Sequence, residues 1–541
     1  MFNMVSHVER PKNEATLSYA PASPERGELA ARLSEMTAER IDIPLVIGGK
    51  KVRTGHTASC VMPHDHGHVL ATYHLAGERE LQKAIESAQV AKKTWENTSW
   101  EHRAAVFWKA AELLAGPWRS TLNSATMLGQ SKTVNQAEPD AACELADFWR
   151  FNCHFAANLF NEQPLSTVGA WNRTDYRPLE GFILAITPFN FTAIAGNLAS
   201  APALMGNTVI WKPASTAIYS GYYLMQLYQA AGLPDGVINF VPAPRQLVSE
   251  QVMTCPQLAG VHFTGSTSTF RNLWMTAANN LASYKSFPRL VGETSGKGFV
   301  FAHPSADVSA LVSALVEGAF GYQGQKCSAA SRAYIPTSLW PQVKSTLLAM
   351  LAEVKVGDVS DFSHFMGAVI DRPAFKKITG YIDDAAQAPE AEIIWGGTYD
   401  DAQGYFVQPT VIVVSDPRFK TMEEEIFGPV LSLFIYEDEQ LEETLALCES
   451  TSPYGLTGAV FAQERLAIAH MERVLRHCAG NFYINDKPTG SIVGQQPFGG
   501  SRASGTNDKV GSKSNLTRWV SQRVVKETFN PPVDVQYPHL R

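Results

Sequence analysis

Residues 182–191, Phe182-Ile183-Leu184-Ala185-Ile186-Thr187-Pro188-Phe189-Asn190-Phe191, decide the fold class. Five consecutive apolar residues with no polar alternation are the mark of a strand buried on both faces of a parallel sheet. Farther along the chain, Val209-Ile210-Trp211, Val237–Val241, Val261-His262-Phe263 and Arg289-Leu290-Val291 are runs of the same kind. Their starts, near 182, 208, 237, 260 and 289, are about 23 to 29 residues apart, which leaves room for one helix in each interval. That is the rhythm of βαβ units, and it predicts a nucleotide-binding parallel sheet. Toward the N-terminus, residues 78–160 read as helices, with Leu81, Ala84, Ile85, Ala88 and Ala91 at helical spacing and Ala104, Phe107, Trp108, Ala111 and Leu114 likewise. The longest apolar stretch, Phe191–Trp211, is interrupted by Asn197, Ser200, Pro202, Gly206 and Asn207. It predicts a buried helix, a turn and a strand, not a membrane span.

A second alternation follows. Strand-like segments are expected at Arg332–Ile335, Gly404–Val414, Val430–Tyr436 and Thr457–Phe461, with helices near Ser338–Val354, Asp371–Ala388, Glu439–Glu449 and Ala462–Val474. Residues 1–40 read as a peripheral extension with a helical run from about Glu25 to Arg40. The 541 residues are too many for one core. A net charge of -7 argues against a general nucleic-acid binder. Seven widely spaced cysteines without a Cys-x-x-Cys pair argue against a disulfide framework and a zinc site, and for a reducing compartment. With no signal-peptide or transit-peptide pattern in residues 1–14, the cytoplasm is the expected location and the mitochondrial matrix the alternative.

Ligands in open α/β sheets bind beyond the carboxyl ends of the strands. After the first strand, the Asn190 amide can donate to an oxyanion or cap the following helix; local sequence leaves both open. Lys212, at the end of the second strand, can reach ribose or phosphate, or stay solvated. Phe263-Thr264-Gly265-Ser266-Thr267 opens a helix whose free N–H groups favour a phosphate, although a full Gly-x-Gly-x-x-Gly is missing. Glu293 follows the fifth strand and can serve as a general base if its pKa is tuned; an ordinary loop glutamate is the plainer alternative. Gly324-Gln325-Lys326-Cys327-Ser328 offers a thiol beside a lysine on a glycine-flanked turn. A neighbouring cation is expected to favour the thiolate, against the alternative of a structural cysteine. Glu423-Glu424-Glu425 is an acidic run that breaks abruptly into Ile426-Phe427-Gly428-Pro429.

Taken in order, Thr187–Phe191, Trp211-Lys212-Pro213, Phe263–Ser266, Gly292-Glu293, Gly324–Cys327 and Glu424–Pro429 resemble the aldehyde dehydrogenase superfamily across about 240 residues. The likeness extends from about residue 45 to 530. Gln136-Ala137-Glu138, Glu144, Phe148–Asn152, Phe191–Leu204 and Gly490–Gly500 are similar to the branch that oxidises L-glutamate γ-semialdehyde, the open form of 1-pyrroline-5-carboxylate, to L-glutamate in proline breakdown. The resemblance implies an α/β fold with a Rossmann-type cofactor domain (41–290), an α/β catalytic domain (291–484), and a C-terminal segment (485–541) holding a substrate-anchor loop and an oligomerisation tail. It implies NAD as cofactor, a dimer or larger homo-oligomer, and a small-molecule substrate. Cys327 would attack the aldehyde, Asn190 and the Cys327 N–H would hold the oxyanion, and Glu293 would activate water. Thr187, Pro188 and Phe189 would line the cofactor site. Lys212 and Ser215 would lie at the adenosine ribose, Gly265 and Ser266 at the pyrophosphate, and Glu425 at the nicotinamide ribose beside Phe427. Ser328, Gly490 and Ser491 would bind the substrate carboxylate, Phe191 and Phe498 its aliphatic chain, and Glu144 its ammonium.

Three positions depart from the family pattern. Ser295 stands where glycine is expected and Gly298 where asparagine is. Serine resists a positive φ, so the Glu293 loop is expected to sit differently. Ser215 stands where NAD-specific relatives carry a glutamate, which implies some tolerance of NADP. The rival readings are a dehydrogenase of another small semialdehyde, a cofactor-free thiol hydrolase, and a non-catalytic scaffold. About 40 residues precede the α/β core, too few for a proline dehydrogenase domain. The preceding step is therefore expected from a separate protein in transient contact, with no membrane span in this one.

Overall fold

The computed structural model describes residues 7–540. Its first seven-stranded sheet carries the βαβ run as five parallel strands, Phe182–Ile186, Thr208–Lys212, Ile238–Phe240, Leu258–Thr264 and Arg289–Glu293. In space they run in the order fifth, fourth, first, second, third, and the antiparallel hairpin Leu45–Ile47/Lys50–Val52 extends the third. The order reverses at the first strand, between its neighbours Leu258–Thr264 and Thr208–Lys212. Such a switch point opens a crevice at the carboxyl ends of the strands.

The unbroken apolar runs supply two cores. Ile183, Ala185, Val209 and Trp211 face the helices Thr192–Leu204 and Ile218–Ala231, while Phe182, Leu184 and Ile210 face Leu81, Ala84 and Ile85 of the helix Glu78–Trp95. Each fully buried Ile, Leu or Phe contributes about 1.5–3 kcal/mol; among the buried polar residues on these strands, His262 and Asn239 have hydrogen-bond partners. The second seven-stranded sheet is built the same way, with Phe299 and Phe301 on one face and Val300 and Ala302 on the other. Its order is Ala391–Trp395, Thr410–Val414, Val430–Tyr436, Ala330–Pro336, Gly298–Ala302, Thr457–Phe461 and Asn481–Ile484. All pairs are parallel except the first.

Sequence periodicity missed three of these strands. Gly298–Ala302 follows Glu293 after only four residues and is central, Ala391–Trp395 is an edge, and Asn481–Ile484 lies ahead of the loop-like tail. The expected strand Gly404–Val414 is two pieces, Phe406–Val407 and Thr410–Val414. The helical region 78–160 contains a seven-residue π-helical segment, Glu138–Glu144, a wide turn that accumulates at functional sites.

The N-terminal segment is not peripheral. Leu29, Leu33 and Met36 of the helix Pro24–Ala38 are buried, and the chain before it is pinned to the helical layer. Leu17 N–H and the Tyr19 hydroxyl donate to Glu138 at 2.9 and 2.8 Å. Ala170–Pro178 and Val520–Thr528 form a separate two-stranded antiparallel ribbon.

Candidate active site

Two cavities meet at Cys327. One, of about 840 Å³, lies at the carboxyl ends of the first sheet's strands and is lined by Thr187, Pro188, Phe189, Asn190, Lys212, Ser215, Gly265, Ser266, Glu425 and Phe427. The other, of about 270 Å³, is lined by Glu144, Phe191, Glu293, Ser328, Gly490, Ser491 and Phe498. Cys327 and Thr264 line both. Every residue to which the resemblance gives a catalytic or binding role therefore stands on one of the two walls.

The thiol rests at a junction of two loops. Glu293 ends the first sheet and Gly298 begins the second. A Cβ on the intervening Gly296 would lie 2.0 Å from the Cys327 carbonyl oxygen, so only glycine lets the two loops touch. The Cys327 loop is entered through Tyr322, Gln323 and Gly324, all left-handed at φ 55°, 55° and 63°. Two non-glycine residues in that region cost about 1–3 kcal/mol each. Buried hydrogen bonds hold them there: Tyr322 donates to the Gln130 carbonyl at 3.0 Å, and Gln323 Nε2 to Ser131 and Ala368 carbonyls at 2.9 and 2.7 Å.

Burial pushes the Cys327 thiol well above its ordinary pKa, and the Glu425 and Glu293 carboxylates push the same way; the N–H groups of Cys327 and Ser328 oppose them. Lys326 is not among the groups with the largest effect on the thiol. Its ammonium is lowered to about 8 by burial, with Lys132, Glu317, Lys487 and Asp140 as its charged neighbours, and it opposes the rise of Glu144. Neighbourhood in sequence was therefore a poor guide to the charges that dominate at the sulfur.

Asn190 is not a helix cap. Phe191 occupies that position without a side-chain bond, and the helix N-terminus is instead held by Asp140, which accepts from Thr192 and Ala193 N–H at 3.0 and 2.8 Å. The Asn190 amide donates to the Gln325 carbonyl at 3.0 Å, two residues before the thiol. Asp140 also pairs with the fully buried Lys132 at 2.7 Å. The Lys132 ammonium lies 4.1 Å from the Phe191 ring centroid and 4.5 Å from that of Tyr322. Sequence carried no signal for this pair, because its partners are met only in the fold.

Glu293 is buried, which holds its carboxyl well above the usual range; the Gly500 N–H donates to Oε2 at 3.2 Å, and Lys509 opposes the rise. A general base with a raised pKa suits proton abstraction from water near neutral pH. At the two departures neither Ser295 nor Gly298 has a positive φ, so the serine carries no left-handed strain. A Cβ on Gly298 would meet the Ala329 carbonyl at 2.3 Å, so this backbone has no room for a larger residue. Ser295 Oγ accepts from Thr267 N–H at 3.4 Å.

The larger cavity has the donor set for a dinucleotide. Ser266 caps the helix Thr267–Asn279, giving a helix N-terminus suited to phosphate. Lys212, lowered to about 8 by burial and by Arg245, stands at one part of the wall. Glu425 stands at another, where its Oε1 accepts from Gly296 N–H at 2.8 Å. Phe189 and Phe427 meet edge-to-face at 5.8 Å. Arg245 lines this cleft too and was missed, since it belongs to no strand end. In the smaller cavity, Ser328 Oγ shares a 2.8 Å hydrogen bond with Thr489, and Gly490 has φ 88°. Asn13, Glu14 and Asp147 also line it, a contribution that only the packed N-terminal segment reveals.

The aldehyde dehydrogenase family model matches residues 51–525. The chain is 50% identical over 538 residues, 99% of its length and 96% of the relative's, to the mitochondrial delta-1-pyrroline-5-carboxylate dehydrogenase of Dictyostelium discoideum. It is 49% identical over 530 residues to the human mitochondrial protein of that name, covering 98% and 94% of the two chains. The crystal structure of the delta-pyrroline-5-carboxylate dehydrogenase of Mycobacterium tuberculosis bound with NAD matches it at a TM-score of 0.96 with 51% identity over 100% of both chains. With nearly the whole chain matched in sequence and in fold, the protein belongs to the aldehyde dehydrogenase family.

Proposed function

We infer that the protein oxidises L-glutamate γ-semialdehyde, in equilibrium with 1-pyrroline-5-carboxylate, to L-glutamate with NAD, the second step of proline catabolism. The observation that carries this is the meeting of a dinucleotide-sized cleft and a small carboxylate-suited cavity at one thiol. It is supported by relatives of that activity at about half identity over the whole chain.

In this reading Cys327 adds as thiolate to the aldehyde carbon, and the new oxyanion takes hydrogen bonds from the Asn190 amide and the Cys327 N–H. The Asn190 amide has two N–H groups, so one serves the oxyanion while the other stays on the Gln325 carbonyl. The bound dinucleotide supplies the acceptor for the hydride that departs from the former aldehyde carbon. The acyl group then stays on sulfur as a thioester. Glu293, once deprotonated, takes a proton from water, which attacks that carbonyl; the thiolate leaves and L-glutamate is released. Ser328, Gly490 and Ser491 hold the substrate carboxylate, Phe191 and Phe498 flank its chain, and Glu144 meets its ammonium. Lys212 and Ser215 hold the adenosine ribose, Gly265 and Ser266 the pyrophosphate, and Glu425 the nicotinamide ribose, with Thr187, Pro188, Phe189 and Phe427 packed about the cofactor. Ser215 carries no charge to repel a 2′-phosphate, and the cations Lys212 and Arg245 stand beside it on a wall that also holds Glu250; some tolerance of NADP beside NAD is part of this reading.

The division of labour proposed is 41–290 for cofactor, 291–484 for the thiol, and 485–541 for the anchor loop and self-association, with 1–40 as the N-terminal segment. Self-association as a dimer or larger is supported by the exposed apolar ribbon side chains Trp171 and Val524. Among the described residues no helix is long and apolar enough to cross a membrane. The seven cysteines are free, which supports a reducing compartment, cytoplasm or mitochondrial matrix. Transient contact with a separate proline dehydrogenase is proposed for delivery of substrate.

The test is NADH formation from pyrroline-5-carboxylate by the wild type and Cys327→Ala. The expected result is loss of turnover by about 10³-fold or more with NAD binding retained. Turnover by the variant within ten-fold of wild type would overturn the reading.

A further inference from the structure

Of the loop Gly490–Gln496 only Val493 is buried, in the core beneath it, and Ile492 N–H donates to Gln496 Oε1 at 2.9 Å. Ser491 is half-buried, Gly490, Ile492 and Gln495 are exposed, and Gly490 and Gly494 have φ of 88° and 80°. Within the loop, Gln495 and Gln496 N–H return to the Ile492 carbonyl. Such a segment is a poor anchor for a charged ligand, because ordering it on binding must be set against the affinity gained.

What orders it is the N-terminal strap, residues 8–20. The strap reaches the loop at three places and the helical layer at several. Asn13 is the junction. Its Nδ2 donates to the Val493 carbonyl and to Asp147 Oδ2, both at 2.8 Å, and its Oδ1 accepts from Gln495 Nε2 at 2.9 Å. Arg10 donates to the Gly494 carbonyl at 3.1 Å. On the other side, Glu14 N–H donates to Asp147 Oδ1 at 2.7 Å, and the Glu14 carboxylate bridges Arg119 and Arg150 at 2.8 and 2.6 Å. The Ala15 carbonyl accepts from Arg119 at 2.7 Å. The anchor loop is thus tied through one asparagine to a strap that is itself clamped by two arginines on the helices Arg119–Gln130 and Leu145–Phe160.

We propose that Asn13 is a positioning residue for substrate selection: it holds Gly490–Gln496 in the shape that receives the substrate's α-carboxylate, and so sets the preference for amino-acid aldehydes over simple ones. This rests on the reading above that Gly490 and Ser491 bind that carboxylate. An alkanal has no group for the loop to hold, so its turnover depends on Cys327 and the cofactor cleft but not on the loop's shape.

The experiment compares kcat/KM for pyrroline-5-carboxylate and for propanal, with NAD, in the full chain and in Asn13→Ala, Gln495→Ala and Ser491→Ala, with thermal melting as the check on folding. For Asn13→Ala the ratio of the two kcat/KM values is expected to fall about ten-fold, the equivalent of about 1.4 kcal/mol, through KM for pyrroline-5-carboxylate and not through kcat. Ser491→Ala should lower the ratio at least as far. Gln495→Ala, which removes one of the three bonds, should lower it about three-fold, and it carries the test if Asn13→Ala does not fold. An unchanged ratio in the Asn13 and Gln495 variants beside a lowered one in Ser491→Ala overturns the role of the strap alone. Equal losses for both substrates mean a merely structural asparagine and also overturn it. An unchanged ratio in Ser491→Ala overturns the carboxylate reading, and the inference with it.

Discussion

Glu144 is a carboxyl on the wall of the smaller cavity, raised to about 8, first by burial and then by the charge of Asp140; Lys132 and Lys326 oppose the rise. Below that pH it is neutral in the free protein. An ammonium placed beside it would favour the ionised form, so its proton must leave when the ligand arrives. Binding of L-glutamate at pH 7 is expected to release about one proton, with the release vanishing above pH 9 and in Glu144→Gln. Calorimetry in two buffers of different ionisation enthalpy reads this directly, and equal heats in both would separate Glu144 from the ammonium. At this scale, each short motif around Cys327, Glu293 and Asn190 left a plainer alternative open, and their order along the chain, as a resemblance, picked them out as the proposed reactive residues. Their ionisation was not legible. The charges with the largest effect on the Cys327 thiol are not its chain neighbour Lys326 but Glu425 and Glu293, which are remote in sequence.

The elements around the thiol are tied together at the C-terminal end of the helix Arg119–Gln130. Gln130 Nε2 donates to the Phe189 carbonyl at 2.5 Å and its Oε1 accepts from Thr192 at 3.3 Å, while its own carbonyl takes the Tyr322 hydroxyl. Two residues on, Lys132 pairs with Asp140, which caps the helix Thr192–Leu204. One helix end therefore holds both the Asn190 loop and the Cys327 loop. Removing one member of a buried ion pair leaves an uncompensated charge, at about 3–5 kcal/mol. Lys132→Met is expected to lose about that much stability in a denaturant titration. Lys132→Met with Asp140→Asn should recover part of it, because the asparagine carries no charge. A single variant as stable as the wild type would mean that the Lys132–Asp140 pair contributes nothing to stability. The βαβ strands were legible because burial on both faces writes an apolar run into the chain. The π-helical Glu138–Glu144 and the short central strand Gly298–Ala302 were not, since neither has a period of its own.

At the scale of the molecule, the ribbon Ala170–Pro178/Val520–Thr528 is the least self-sufficient part. An isolated two-stranded ribbon is marginally stable in water, and this one exposes Trp171 and Val524. It is expected to be completed by a second copy. Val524→Asp combined with Trp171→Asp should shift the protein to a monomer in sedimentation velocity, with its far-UV spectrum unchanged; an unaltered sedimentation coefficient would assign self-association to another surface. The chain's own order of residues was enough to determine the α/β class and the strand rhythm of the first sheet, because each depends on a local pattern of apolar runs, turns and strand ends, and it singled out Cys327, Glu293 and the cleft-lining residues that the proposal uses. Tertiary structure alone decided which charges reach the thiol, which residue caps the helix after Asn190, and that residues 8–20 close the substrate cavity. Those outcomes depend on contacts between segments far apart in the chain, from Asp140 with Thr192, 52 residues on, to Asn13 with Val493, 480 residues on. Side-chain electrostatics fall off with distance in space and take no account of separation along the chain.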